Sequence, residues 1–279
     1  MEEQYEVKHT STQQNIDVFS PIKFGFSRTF KNAGFWIPFA LLNMVIMFGG
    51  FATAVLPVFL QIQDNPNGDV HVPAVTFIAY IAMIIILSAL GIMGMRQAIR
   101  DVSAVGNDNK TILQGKTPAL WNMLTKDIAW GKIIGTMLLI GLIAGLIGGV
   151  FGSVIGLAMS SVIIGETVNT GMTIASVLLT IVVYLGLFAI ATLISYSSYF
   201  ATDPETNEQL SPVDCIKASF DAVKNNFWTV LGFNIVFAII TSFIVSLTFG
   251  IGLLFVIPAS ALAQAYMFRT LAGLYVPAQ

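Results

Sequence analysis

Few side chains in this 279-residue sequence could do chemistry. The histidines are His9 and His71. Neither has a cysteine or second histidine at a spacing that closes a metal site. His71 with Asp64 and Asp69 could hold a cation weakly, but a solvated loop is the simpler reading. No glycine-rich phosphate loop precedes a Lys-Ser/Thr pair, and no Gly-x-Ser-x-Gly elbow occurs. Cys215 is the single cysteine, so no internal disulfide supports the fold. S-acylation of its thiol is conceivable near a headgroup layer, and an unmodified buried thiol is the plainer alternative. The expectation is a protein with no catalytic residue, no cofactor and no metal, that is, not an enzyme.

Two other sets of residues stand out by type and spacing. Gly141, Gly145 and Gly149 recur every four residues, as do Gly148, Gly152 and Gly156, leaving two helix stripes without side chains. Such faces let backbones approach closely where hydrophobicity cannot drive association. Packing against a neighbouring span is the first reading, with homo-oligomer contact or a substrate passage as alternatives. Asn43, Ser153 and Asn234 lie inside apolar runs and form a candidate polar cluster. Interhelical hydrogen bonding is the first expectation for the asparagines, and ligand contact the second.

The elements that carry these residues follow from composition. Hydrophobic residues make up 56% of the chain and charged ones 10%, against roughly a quarter charged in soluble domains. A crossing needs about 20 apolar residues at about 1.5 Å each. Residues 36–60 and 74–95 fit one span apiece. The nearly uncharged run 133–202 fits two, about 133–157 and 172–197, and 225–268 fits two more. The last pair should reverse at Phe249-Gly250-Ile251-Gly252, where glycine tolerates tight-turn angles. The polar first 34 residues and the long first apolar run read as a retained anchor rather than a cleaved signal.

With six spans, one face receives the N-terminus, the loops 96–132 and 198–227, and the C-terminus. Those segments hold all 13 lysines and arginines, and the opposite loops hold Asp64, Asp69, His71 and Glu166. By the positive-inside rule both termini are cytoplasmic. No Asp, Glu, Lys, Arg or His falls in the middle of a span, which argues against an ion-coupled transporter.

Ser20-Pro21, Thr117-Pro118 and Ser211-Pro212 recur at intervals of 97 and 94 residues. Each reads as a helix N-cap and first turn. An amphipathic stretch follows, then a tryptophan (Trp36, Trp130, Trp228), then two spans. The apolar face is Ile22, Phe26 and Phe30 in the first copy and Val213, Ile216, Phe220, Val223 and Phe227 in the third. The second is weaker, with Trp121, Leu124 and Ile128. These helices should lie in the membrane interface with the tryptophans as anchors at headgroup depth. The fold class is therefore all-α: a polytopic membrane protein with six transmembrane helices, built as three parallel repeats of interfacial amphipathic helix plus transmembrane hairpin. A polar tail covers residues 1–19, and one membrane domain covers 20–279, with repeats at about 20–116, 117–210 and 211–279.

The stretches SPIKFGFSRTFKNAGFWIPF, SPVDCIKASFDAVKNNFW and GIGLLFVIPASALAQAYMFRTLAG resemble those of a broad set of uncharacterised bacterial six-span integral membrane proteins. These in turn are similar to the membrane domain that precedes the catalytic domain of some glycerophosphodiester phosphodiesterases. The resemblance covers most of residues 20–275 and implies a multi-pass protein of the bacterial cytoplasmic membrane. The hydrolase barrel has no matching residues here, so no active site is carried over. The expected function is a non-enzymatic scaffold or accessory subunit linked to lipid or envelope metabolism. The alternative is a carrier or channel for a lipid or small neutral solute. Membrane lipids are the expected partners, with a protein partner or second copy besides, and no nucleic acid.

Overall fold

The computed structural model describes residues 17–64, 74–106, 129–163, 170–207 and 210–274. Among them the regular structure is helical throughout: α1 (Phe19–Lys31), α2 (Ala33–Asp64), α3 (Ala74–Gly106), α4 (Trp130–Ile163), α5 (Thr170–Ile194), α6 (Ser197–Thr202), α7 (Pro204–Asn207), α8 (Pro212–Lys224), α9 (Phe227–Leu247) and α10 (Leu253–Leu271). Six apolar stretches, in α2, α3, α4, α5 with α6, α9 and α10, are long enough to cross a membrane. Thr117-Pro118 and the amphipathic stretch of the second copy lie outside the described residues, as do His9, Asp69, His71 and Glu166.

The chain divides into two compact units, residues 1–128 with 233–279, and residues 129–232, where the sequence reading drew one membrane domain. In the first unit the core gathers at one end of the long helices. Trp36, Phe39 and Ala40 open α2, and Leu90, Met93, Ala98, Ile99 and Val102 close α3; all are buried. Against them pack α1 and α10. Phe24 meets Tyr266 and Phe30 meets Phe255, with ring centroids 5.1 and 5.3 Å apart. Early residues of α1 thus pair with late residues of α10, and the two run antiparallel. Gly25 permits their close approach, since a methyl group there would strike the carbonyl oxygen of Ala259 and lie 3.1 Å from Cβ of Ala263. Beyond this core α2 and α3 expose Phe48, Phe51 and Phe59, and Ile78, Ile81 and Ile85. A surface this apolar requires lipid rather than water, and the protein is membrane-embedded on that ground.

α3 corrects one boundary. The expected span ended at residue 95, yet the helix continues to Gly106. At 33 residues it is about 50 Å long, well beyond a hydrocarbon layer of about 30 Å. The extra turns belong to the packed end.

The amphipathic faces also need correction. In α1 the buried residues are Pro21, Ile22, Gly25, Arg28 and Thr29, while Phe30, assigned to the apolar face, is 61% exposed. Helix packing selected the small and branched residues, and left the large ring outside. The cap differs too. α1 begins at Phe19, and its free N–H groups are met by Asp17, whose carboxylate accepts from the backbone of Phe19 and of Ser20, both at 3.2 Å. Those bonds hold the Asp17 carboxyl below its ordinary range.

In the second unit α8 packs against α4, α5 and α6. Here the Ser-Pro expectation holds: Ser211 is the N-cap, Pro212 occupies the first turn, and Ser211 with Asp214 forms a reciprocal capping box. The Ser211 hydroxyl and N–H keep the Asp214 carboxyl low. The buried face of α8 is Cys215, Ser219 and Val223, whereas Val213 and Phe220 are exposed. Asp203, within the loop 198–227 of the sequence-based topology, is buried between α6 and α7.

The α9–α10 reversal falls at the expected residues. Gly250 N–H donates to Val245 O at 2.9 Å and Phe249 N–H to Ser246 O at 3.3 Å, the paired bonds of a Schellman ending. The first left-handed residue is Phe249 (φ 51), ahead of Gly250 (φ 90).

A buried carboxylate clasp as the candidate functional site

The sequence places Trp36 five residues after Lys31, where α1 gives way to α2 at Asn32. It also places Gln97 and Asp101 four apart in α3, on one face with Leu90 and Met93. The fold brings these together. The Asp101 carboxylate, 4% exposed, accepts at Oδ2 from the Trp36 indole N–H at 2.9 Å and the Asn32 amide at 3.2 Å, and at Oδ1 from the Gln97 amide at 2.8 Å. The Arg28 guanidinium acts on it through charge. Burying a carboxylate costs several kcal/mol unless it is paired and hydrogen-bonded. Three donors and a neighbouring cation meet that condition. Most of its lone-pair sites are thereby occupied. The arrangement joins the elbow between α1 and α2 to the end of α3.

Trp36 is therefore not an interfacial anchor: it is fully buried. An indole so placed needs an acceptor for its N–H, and Asp101 is that acceptor. Trp228 is 79% exposed, and Trp130 is half-buried.

The second unit has a simpler clasp. α5 breaks at Ile194 and α6 starts at Ser197. Ser219 of α8 spans the break, donating to Leu193 O at 3.0 Å and accepting from Tyr196 N–H at 3.1 Å. Cys215 is fully buried one turn earlier on the same helix. Burial pushes its thiol up, against the opposing influence of the Thr136 hydroxyl and the Lys132 charge.

Each residue of the expected polar cluster finds a hydrogen-bond partner within its own unit. The Asn43 amide donates to Phe39 O at 2.8 Å in its own helix, and the Ser153 hydroxyl to Gly149 O at 2.7 Å in its own. Only Asn234 bonds across helices, accepting from Gln264 of α10 at 3.3 Å. In an apolar run the nearest acceptor is the carbonyl one turn back, and Asn43 and Ser153 take it. The glycine stripes also differ from expectation. A Cβ added at Gly141, Gly145, Gly148, Gly149, Gly152 or Gly156 would meet no heavy atom within 4 Å. Among the described residues, nothing reaches these two stripes. The described close-approach glycines of the first unit are Gly25, Gly50, Gly94 and Gly252, where an added Cβ would meet Ala259, Met83, the Phe39 ring and Thr248 in turn.

Sequence reasoning missed Asp101 because charge marked residues 96–132 as loop. The signal was present in Leu90, Met93, Gln97 and Asp101, a helical stripe that runs through the first charges. Comparison with family models, with curated proteins and with solved structures finds no match for this chain.

Proposed function

We propose that the chain is a non-enzymatic multi-pass protein of the bacterial cytoplasmic membrane, acting as a scaffold or accessory subunit in lipid or envelope metabolism. The observation that carries this reading is the Asp101 clasp. The buried carboxylate of the first unit is committed to holding helices in place, and the hydroxyl of Ser219 does the same in the second. Both termini face the cytoplasm, as the placement of the 13 basic residues implies. The three-repeat plan is supported by two helices, α1 and α8, each leading into an apolar helix. The resemblance to the membrane domain of glycerophosphodiester phosphodiesterases, resting on the Ser-Pro helices and the closing stretch, suggests the lipid connection.

Purification in mild detergent tests the scaffold role, with a stoichiometric partner expected. A protein that brings down no partner yet moves a solute across liposomes would refute it. Cysteines placed at Lys110 and Asp69 in a Cys215→Ser background should label from opposite sides of the membrane. The second reading, a carrier or channel, draws on the open glycine stripes of α4, which could border a path or meet another copy.

A further inference from the structure

Arg28 lies 8% exposed in α1, and its Nε and Nη2 are buried with no hydrogen-bond partner. These two nitrogens form one edge of the guanidinium, the edge that presents two parallel N–H groups to a carboxylate or phosphate. A native fold rarely leaves such a pair empty, because each buried unmet donor has given up its water without replacement. Asp101 does not fill the edge, since its oxygens are met by Trp36, Asn32 and Gln97. The charge of Arg28 offsets that of Asp101, and the Nε/Nη2 edge is left over from that role. Eight residues after its Ser-Pro serine, the third copy holds Ser219 where the first holds Arg28, and Ser219 satisfies itself on α5 backbone. Gln97 also leaves an acceptor unmet, its buried Oε1. Lys23 and Lys31 are exposed on the same helix, as are Phe19 and Phe30 at 61% each.

We propose that the Nε/Nη2 edge of Arg28 is a binding site for a phosphate oxyanion. Lys31 would draw the anion in, and Gln97 Oε1 would take a hydroxyl or ammonium hydrogen of the same molecule. Glycerophospholipid headgroups carry both a phosphate and such a donor. The apolar surface beside the site suits acyl chains. This deepens the membrane reading above and rests on it for the lipid source, since a free phosphate ester offers the same chemistry.

The test is native mass spectrometry of the full chain in detergent, titrated with phosphatidylglycerol and, separately, with diacylglycerol, which lacks the phosphate. Wild-type protein should retain phosphatidylglycerol, and gain thermal stability from it, but not diacylglycerol. Arg28→Lys and Arg28→Ser should lose about tenfold in retention, the scale of one charge-assisted hydrogen bond. Lys217→Gln on α8 should change nothing. Millimolar glycerol 3-phosphate that displaces the lipid places the affinity in the phosphate ester itself. A lipid that stays put places it in the whole headgroup with its chains. Equal retention of diacylglycerol by wild type overturns the site, and that measurement holds even where the variants fail to fold. Retention by folded Arg28→Lys and Arg28→Ser proteins equal to wild type overturns it as well. Lys110 and Asp69 labelling from one side would sink the topology proposed above while leaving this measurement, made in detergent, intact.

Discussion

Replacing Trp36 by phenylalanine removes one donor from a buried carboxylate and keeps an aromatic ring in the space. The bond lost is 2.9 Å long and made to a charged group, a class worth about 1.5–3 kcal/mol. The smaller ring adds roughly 1 kcal/mol for the gap it leaves. The expected destabilisation is therefore about 2.5–4 kcal/mol. Asp101→Asn keeps an oxygen acceptor and removes the charge, so its own cost is expected to overlap that of Trp36→Phe. The double variant should lose about 1–2 kcal/mol less than the two single losses added together, because both disable one bond. Unfolding in mixed micelles of dodecyl maltoside and increasing SDS, followed by far-UV circular dichroism, measures all three. Trp228→Phe is the control: at 79% exposure it should stay within about 0.5 kcal/mol of wild type. Strict additivity of Trp36→Phe and Asp101→Asn, or an equal loss in Trp228→Phe, would refute the clasp and restore Trp36 as a membrane-surface anchor.

Two glycines should answer oppositely to alanine in the same assay. Gly25→Ala forces a methyl group onto Ala259 and is expected to cost about 1–3 kcal/mol. Gly145→Ala meets open space and should be neutral or stabilising by up to about 1 kcal/mol. Phe249→Gly relieves a left-handed backbone at a side chain that is 97% exposed and should raise stability by about 1 kcal/mol. Cys215 should resist maleimide at pH 8 in the folded protein and react fully once SDS opens it, as stopped-time gel-shift labelling would read. The Asp17 and Asp214 carboxyls are lowered from an ordinary value of 3.8. Their stabilisation of α1 and α8 is thus fully present above about pH 4 and fades as pH falls through the lower folded values. Melting scans in detergent from pH 6 to pH 2 should show that loss, and Ser211→Ala should remove much of the α8 part of it.

The apolar helices were legible because lipid solvation writes a one-dimensional signal: a long uncharged run is enough to mark a crossing. The reversal at Phe249 and Gly250 was legible for a similar reason, since glycine pairs between apolar runs have few other uses. The α8 capping box was readable because its partners sit three residues apart. The Asp101 clasp was not, because Trp36 and Asp101 are 65 residues apart and only packing makes them neighbours. Charge also misled. Arg96, Arg100 and Asp101 look like the start of a loop when water is assumed around them, and Arg96 and Asp101 prove to be interior residues of a continuing helix. The α1 face was misassigned because large rings were taken to point inward, although Gly25 and Thr29 make the closer fit against α10. The glycines of α4 show the limit of a spacing rule, which marks where a neighbour could come close and does not supply one.

The antiparallel pairing of α1 with α10 couples the two extremities of the described chain. A ribosome releases α1 long before α10, so the first helix must wait through the synthesis of more than two hundred residues for the surface that buries Ile22, Gly25 and Thr29. During that interval its intended mate does not exist, and a chain cut short before Leu253 would leave it permanently orphaned. Burial of α1 is thereby conditional on translation through α10, and a product that stops short of it exposes Ile22, Gly25 and Thr29.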